Sequence, residues 1–149
     1  MYELMAPVKL SQGDIINKVL LLDSAVPAAS PGERNVIILS HDCEIDKPSN
    51  EVLIVAEVKL LAEMERIKSG IKGDIQKGRV RNVMYLEPYG QLAESYVDFR
   101  YIFRVAKKSL EENLKLGLRI ASLNEESKQA LCIFFERYLF RKLPSETQE

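Results

Sequence analysis

One short segment of the sequence concentrates the side chains best suited to catalysis. His41, Asp42 and Cys43 are consecutive, and His41 is the only histidine in the chain. A histidine titrates near neutral pH and can act as a general base, and a cysteine becomes a nucleophile when a nearby imidazolium stabilises its thiolate. The segment therefore predicts a catalytic site at these three residues, with His41 and Asp42 as acid–base groups and a thiol-dependent hydrolase as an alternative.

Two other interpretations of the same segment are open. In an extended chain His41 and Cys43 point to one side, but a zinc site needs about four ligands, and no other residue supplies the usual spacing. We therefore predict no metal and no cofactor. In the second, structural interpretation, Ser40 and Asp42 hydrogen-bond the backbone and Cys43 packs inward as a small apolar residue.

A second group of residues suggests nucleic-acid binding. Arg79 and Arg81 would share one strand face, and so would Arg100 and Arg104. If these faces adjoin, they form a basic patch that can hold phosphates, beside aromatic rings that can stack on bases. The rings would be those of Tyr85, Tyr89 and Tyr96. The alternative is an ordinary solvated face, balanced by neighbouring carboxylates.

The elements that must position these residues are mainly strands. Val36–Leu39 and Val52–Ala56 are short, continuous apolar runs, which indicate strands covered on both faces. Further strands are predicted at Ile15–Leu22, Val80–Leu86 and Leu118–Ala121. The clearest alternation spans Ser95–Val105. It predicts Val97, Phe99, Tyr101, Phe103 and Val105 in the core and Asp98, Arg100 and Arg104 in solvent.

Helical spacing appears in two main places. Apolar residues from Leu60 to Ile71, including Ile67, predict an amphipathic helix inserted between strands. Ser122 with Glu125 matches a capping box, which predicts a C-terminal helix that runs to about Lys142. A short helix or irregular segment is expected at Ala106–Leu116.

Composition limits the function classes. The chain has 149 residues, 46% of them hydrophobic, and a formal net charge of −1, so it is expected to form one domain, residues 1–143, with a frayed tail at 144–149. No overall field draws it to nucleic acid or membrane, and a nucleic-acid site needs a local patch. Two distant cysteines and a start without signal-peptide order predict a cytoplasmic protein that does not enter a membrane.

The chain resembles the PemK/MazF-like family of small barrels over most of its length. The resemblance rests on an opening Gly-Asp-Ile, on an Arg-led strand that ends in Leu-Ser, on two later strands and on the lead into the closing helix. These segments are Gly13–Ile15, Arg34–Ser40, Val52–Val58, Ser95–Val105 and Ala121–Glu126. It implies an α+β fold: a small SH3-like β-barrel of about five to six strands with an inserted helix and a C-terminal helix.

The resemblance also implies a function. Members of the family are metal-independent toxin endoribonucleases that cut single-stranded RNA, work as homodimers and are neutralised by a cognate inhibitor protein. Arg34 matches the family's catalytic arginine. No Ser or Thr stands at positions 56–62 for its second catalytic group, and Glu57 and Lys59 project near that place. The resemblance therefore predicts binding of single-stranded RNA or another nucleic acid, with Arg34 and the Ser40–Glu44 segment at one barrel rim.

A different class of function is also compatible with the sequence. A barrel edge or the closing helix can recognise a protein, which would make the chain a non-enzymatic interaction module in a defence or regulatory assembly. The two classes differ in one property, since only the first requires a site for phosphates.

Overall fold

The structure, a computed structural model, describes residues 1–5, 9–21, 32–64 and 70–140. Within these ranges the chain forms six strands, four α-helices and one turn of 3-10 helix. The strands are β1 (Asp14–Leu21), β2 (Gly32–Ile38), β3 (Val52–Leu60), β4 (Val83–Leu86), β5 (Ser95–Ala106) and β6 (Arg119–Ser122). The helices are α1 (Asp42–Ile45), α2 (Ile71–Gln76), α3 (Lys107–Lys115) and α4 (Glu125–Phe140), and the 3-10 turn is Leu61–Met64.

All six strands belong to one antiparallel sheet with the order β4-β5-β3-β2-β1-β6. The predicted α+β class and strand number are confirmed. The sheet is barrel-like without being closed, because β4 and β6 form its two edges and do not pair within the described residues. Helix α4 lies between these edges, since its buried Leu131 shares one apolar cluster with β4 and β6 residues.

The two central strands bury both of their faces, as their continuous apolar runs predict. Ile37 and Leu39 face the cluster beneath α4. Val36 and Ile38 face the opposite side, where they pack with Leu110 of α3. A third, smaller apolar cluster joins α2 and the 3-10 turn to β4 and β5 on that second side of the sheet. Its buried members are Leu61, Ile75, Val83 and Tyr96.

Strand β5 contains a three-residue bulge that changes which side chains are buried. Asp98 pairs with Glu57 and Ile102 pairs with Ala56, so the three intervening residues have no partner on β3. An insertion of odd length reverses the alternation of side chains beyond it. The single apolar face predicted for this strand is therefore wrong: Val97 and Phe99 point toward α4, while the later apolar residues, Phe103 and Val105, point toward α3.

The helix predicted across Leu60–Ile71 is also wrong at its described ends. Strand β3 continues to Leu60, which pairs with Ser95, and a 3-10 turn follows it. Ile71 begins a separate short helix, α2. Pairing with β5 overrides the helical spacing here, because each residue added to the ladder gains strand hydrogen bonds. Ile67, at the middle of the predicted helix, lies outside the described residues.

The start of α4 differs from the predicted capping box. Asn124 is the cap, and its Oδ1 accepts a hydrogen bond from the backbone N–H of Ser127 at 2.9 Å. Ser122 instead ends β6, and its hydroxyl donates to Oδ1 of buried Asp14 at 2.5 Å. The predicted last residues of this helix and the tail at 144–149 lie outside the described ranges. None of the helices that the structure describes is both long and apolar enough to cross a membrane.

The position of α4 between the sheet edges leads to a stability prediction. Leu131 is 1% exposed, and truncating it to alanine should lower the free energy of unfolding by roughly 2–5 kcal/mol, because it leaves a cavity under the helix. Leu116, 73% exposed at the end of α3, is the matched control, and Leu116→Ala should change stability by about 0.5 kcal/mol or less. Urea denaturation of both variants measures the difference, and equal losses would contradict this packing.

A candidate anion-binding site on the sheet

Polar side chains occupy the middle of the sheet face that α2 and α3 cover at either end. A row of register partners crosses four strands there, from Val36 on β2 through Glu57 and Asp98 to Val83 on β4. The two outer valines are buried in the separate clusters of α3 and α2. The gap between the clusters holds what we call the charged face, which consists of Arg34, Glu57, Lys59, Asp98, Arg100 and Tyr101.

Asp98 is the buried centre of the charged face. Arg100 grips it with two parallel bonds, donating from Nε to Oδ1 at 2.9 Å and from Nη2 to Oδ2 at 2.8 Å. Lys59 donates from Nζ to Oδ2 at 3.2 Å. Burial alone would raise the pKa of Asp98, but the hydrogen bonds from Arg100 and the charge of Lys59 outweigh it, so this pKa lies below its usual value.

Glu57 and Arg34 form a second ion pair beside the first. The Nε of Arg34 lies 3.7 Å from Oε2 of Glu57, whose side chain is mostly buried. Burial raises the pKa of Glu57 above its usual value, even though Lys59 and Arg34 oppose the shift. A carboxylate with a raised pKa, next to cations, has the chemistry of a general base.

Tyr101 gives the charged face an aromatic surface. Its side chain is exposed, and the Nζ of Lys59 lies 3.6 Å from the centroid of its ring. The guanidinium carbon of Arg100 lies 5.9 Å from the same centroid. Three cations, two carboxylates and one open ring therefore share this surface, which suits a ligand with both negative charge and a planar group.

The structure does not bring the predicted catalytic residues together. Arg34 lies near the start of β2, and His41 follows the end of that strand, seven residues later. At about 3.3 Å per residue these positions are roughly 20 Å apart. The prediction that both lie at one rim is wrong. Glu57 and Lys59, which were expected near the second catalytic position, do lie beside Arg34.

The His41–Cys43 segment forms a tight structural connection. His41 is the exposed residue before the single turn of α1. The carboxylate of Asp42 accepts hydrogen bonds from the backbone N–H of Gln12 at 2.8 Å and from the Ser11 hydroxyl at 3.0 Å. Cys43 is exposed rather than packed inward. No group of three metal-ligating side chains forms within the ranges that the structure covers.

The four arginines proposed for nucleic-acid binding are spread over β5 and the approach to β4. The carbonyl of Asn82, the residue after Arg81, accepts a hydrogen bond from the backbone N–H of Phe99, the residue before Arg100. Arg81 therefore lies near Arg100, just before β4 begins. Arg79 pairs with Asp74 in the turn after α2, at 3.9 Å. Arg104 lies beyond the bulge, opposite Ile54 on β3. Arg100 alone of the four belongs to the charged face.

Sequence reasoning missed two members of the charged face. Asp98 lies on the predicted face, opposite Phe99, but it is buried there and not in solvent. Tyr101 was expected in the core, and the bulge places it exposed on the same face as Asp98. No glycine or proline marks the bulge. The only available signal was Asp98 two residues before Arg100, a spacing at which the arginine can reach back to the carboxylate.

No protein-family model matches this sequence, and no curated protein shows significant similarity to it. The geometry of the charged face is therefore the basis for a functional proposal.

The buried carboxylate of Asp98 makes the free energy of unfolding depend on pH. Because the pKa of Asp98 is lower in the folded than in the unfolded protein, the unfolded chain binds more protons below about pH 4, and the stabilisation is lost as pH falls through the folded pKa. Asp98→Asn should lower the free energy of unfolding by roughly 2–4 kcal/mol near pH 7. It should also weaken the loss of stability on further acidification.

Asp74 provides the matched control for this measurement. Its ion pair with Arg79 is exposed on both sides, so Asp74→Asn should change stability by about 0.5 kcal/mol or less at any pH. Urea denaturation between pH 3 and 7 (a range set by the ordinary carboxyl pKa) compares the two variants. A loss for Asp98→Asn no larger than that for Asp74→Asn would show that the buried pairing contributes nothing to stability.

Proposed function

We propose that the protein binds single-stranded nucleic acid on the charged face. The observation that carries the proposal is the placement of Lys59 over the open ring of Tyr101, next to an Arg100 that a buried carboxylate holds in place. Single-stranded nucleic acids are recognised by surfaces that combine backbone-neutralising cations with an aromatic ring on which a base stacks.

Arg100 is suited to phosphate because its orientation is fixed in advance. A guanidinium has five N–H groups in a rigid fork, and Asp98 uses two of them. The remaining three lie on the outer edges of a side chain that is about half exposed. A phosphate that binds there gains charge-assisted bonds without ordering a flexible side chain. Arg34, also exposed, offers a second cation on the same face.

Tyr101 is suited to a base for a similar reason. Lys59 and Arg100 approach its ring and limit its movement, while 38% of the residue stays exposed. Base–aromatic stacking contributes about 1–3 kcal/mol per base and depends little on sequence. We therefore expect modest affinity, little sequence preference and strong salt dependence.

The binding experiment uses a fluorescent single-stranded RNA of mixed sequence and measures anisotropy at several salt concentrations. Tyr101→Ala should weaken binding about 5- to 150-fold through lost stacking. Arg34→Ala should weaken it and lower the salt slope by about one, because one phosphate contact is removed. Both residues are exposed, so the fold should survive, which circular dichroism checks.

Arg137→Ala is the charge-matched control. Arg137 is an exposed residue on α4, the helix that packs on the opposite side of the sheet, and its loss should leave affinity and salt slope unchanged. Equal weakening by Arg34→Ala and Arg137→Ala would mean that binding depends only on total charge and would reject the charged face as the site. Absence of salt-dependent binding would reject nucleic-acid binding in favour of the non-enzymatic interaction module.

Cleavage of the bound strand is a second candidate activity, which the raised pKa of Glu57 beside Arg34 favours. Ionised Glu57 would accept the proton of a ribose 2′-hydroxyl, and the 2′-oxygen would attack the adjacent phosphorus. The 5′-oxygen would leave and take a proton from solvent, while Arg34 and Lys59 stabilise the negative charge of the transition state. The step uses no metal and requires RNA rather than DNA.

Glu57→Gln separates this activity from binding. The variant should bind RNA with affinity within a few-fold of the wild type but lose cleavage by about 100-fold or more. The wild-type rate should rise with pH through a midpoint above the usual pKa of a glutamate, because the base acts in its ionised form. Full cleavage by Glu57→Gln, measured with chelator present, would exclude Glu57 as the base. The homodimer and the cognate inhibitor stay predictions.

A further inference from the structure

The arginine just before β4 extends the charged face toward the edge of the sheet. The backbone N–H of Phe99 donates to the carbonyl of Asn82 at 3.0 Å, which continues the β4–β5 register one residue beyond its last strand pair. One further step in this register brings Arg81 opposite Arg100. Alternation puts Arg81 on the same side of the sheet as Val83, which is the side of α2 and of the charged face.

The three cations of the charged face are already paired with carboxylates. Arg34 lies next to Glu57, and both Lys59 and Arg100 contact Asp98. These ion pairs fix the cations in place, but they also offset much of their positive charge. A phosphate at this face therefore gains most from a further cation that has no carboxylate partner.

Arg81 is such a cation. It is exposed, and in the part of the chain that the structure describes no carboxylate forms an ion pair with it. Burial raises the pKa of Glu57, and the charges of Asp98 and Glu63 add to that shift, so three carboxylates lie near the three paired cations. Arg81 therefore supplies the positive charge that this surface has in excess.

The position of Arg81 opposite Arg100 favours an anion between them. Like charges that face each other across an antiparallel pair destabilise it, and an anion between the two guanidiniums removes the repulsion. Each guanidinium also offers a planar fork of N–H donors that matches two oxygens of a phosphate. Arg79, two residues earlier, lies next to Asp74 instead.

We infer that Arg81 and Arg100 together hold a backbone phosphate beside the base on Tyr101, and that the bound strand crosses the sheet from β2 to β4. This inference rests on the proposed function and adds the path and the length of the ligand. From Arg34 to the β4 edge there are three steps between strands, or roughly 14 Å at about 4.8 Å each. At about 3.4 Å per nucleotide of a stacked strand, the site holds about four nucleotides.

The first test measures binding of single-stranded RNA by Arg81→Ala, with Arg79→Ala as the matched control. Arg81→Ala should weaken binding about tenfold and lower the salt slope by about one, because one phosphate contact is lost. Arg79→Ala removes an equally exposed arginine and should leave affinity and salt slope unchanged. Arg81→Lys, which keeps the charge but not the fork, should keep the salt slope and recover only part of the affinity.

A length series of the RNA tests the path. Affinity should rise steeply from two to about four nucleotides, and beyond that only in proportion to the number of positions that a longer strand offers. Arg81→Ala should end the steep part about one nucleotide earlier. A steep part that ends at two nucleotides, or that has the same length in the wild type and in Arg81→Ala, would overturn the path.

Failure of this inference can be told apart from failure of the proposed function. If Arg34→Ala and Tyr101→Ala weaken binding while Arg81→Ala behaves like Arg79→Ala, RNA binds the charged face and only the role of Arg81 is overturned. If the wild type does not bind RNA, both are overturned. The urea midpoint of Arg81→Ala should be unchanged or slightly higher, because repulsion from Arg100 is removed, and a lower midpoint would show that Arg81 supports the fold instead.

Discussion

Two carboxylates stand side by side in the middle of this sheet, and their neutralisation sets the arrangement around them. Glu57 and Asp98 are direct register partners, a placement in which like charges repel. Asp98 is wholly buried and could not stay ionised without Arg100 and Lys59. Ion pairs with the carboxylates therefore fix the positions of the cations at the surface. The N–H groups that face away from the carboxylates are available to a ligand.

The bulge in β5 is what creates this arrangement. Without the bulge, simple alternation would place Asp98 and Ile102 on the same face of the sheet. With three extra residues, the first half of the strand supplies Phe99 to the core beneath α4, and the second half supplies Val105 to the core beneath α3. One long strand thereby contributes to two cores, and the residues at the switch, Asp98, Arg100 and Tyr101, are its contribution to the charged face.

Much of the fold could be predicted from the sequence, because it depends on local patterns. The continuous apolar runs around Ile37 and Val55 indicate strands buried on both faces, and the spacing of Leu131 and its neighbours indicates α4. The site could not be predicted to the same extent. The position of Asp98 depends on pairing between β3 and β5, which no short segment encodes. Consecutive reactive residues at His41–Cys43 suggested a site, whereas Asp42 in fact anchors the backbone of Gln12.

The placement of α4 across both sheet edges affects how the chain can mature on the ribosome. All six strands precede this helix, so the apolar surface around Phe99 and Ile37 leaves the exit tunnel before its cover does. Synthesis at about 5–20 residues per second leaves that surface uncovered for a second or more. A nascent chain at this stage exposes an apolar surface that α4 has not yet covered. We expect a ribosome-associated chaperone to bind that surface until α4 is synthesised.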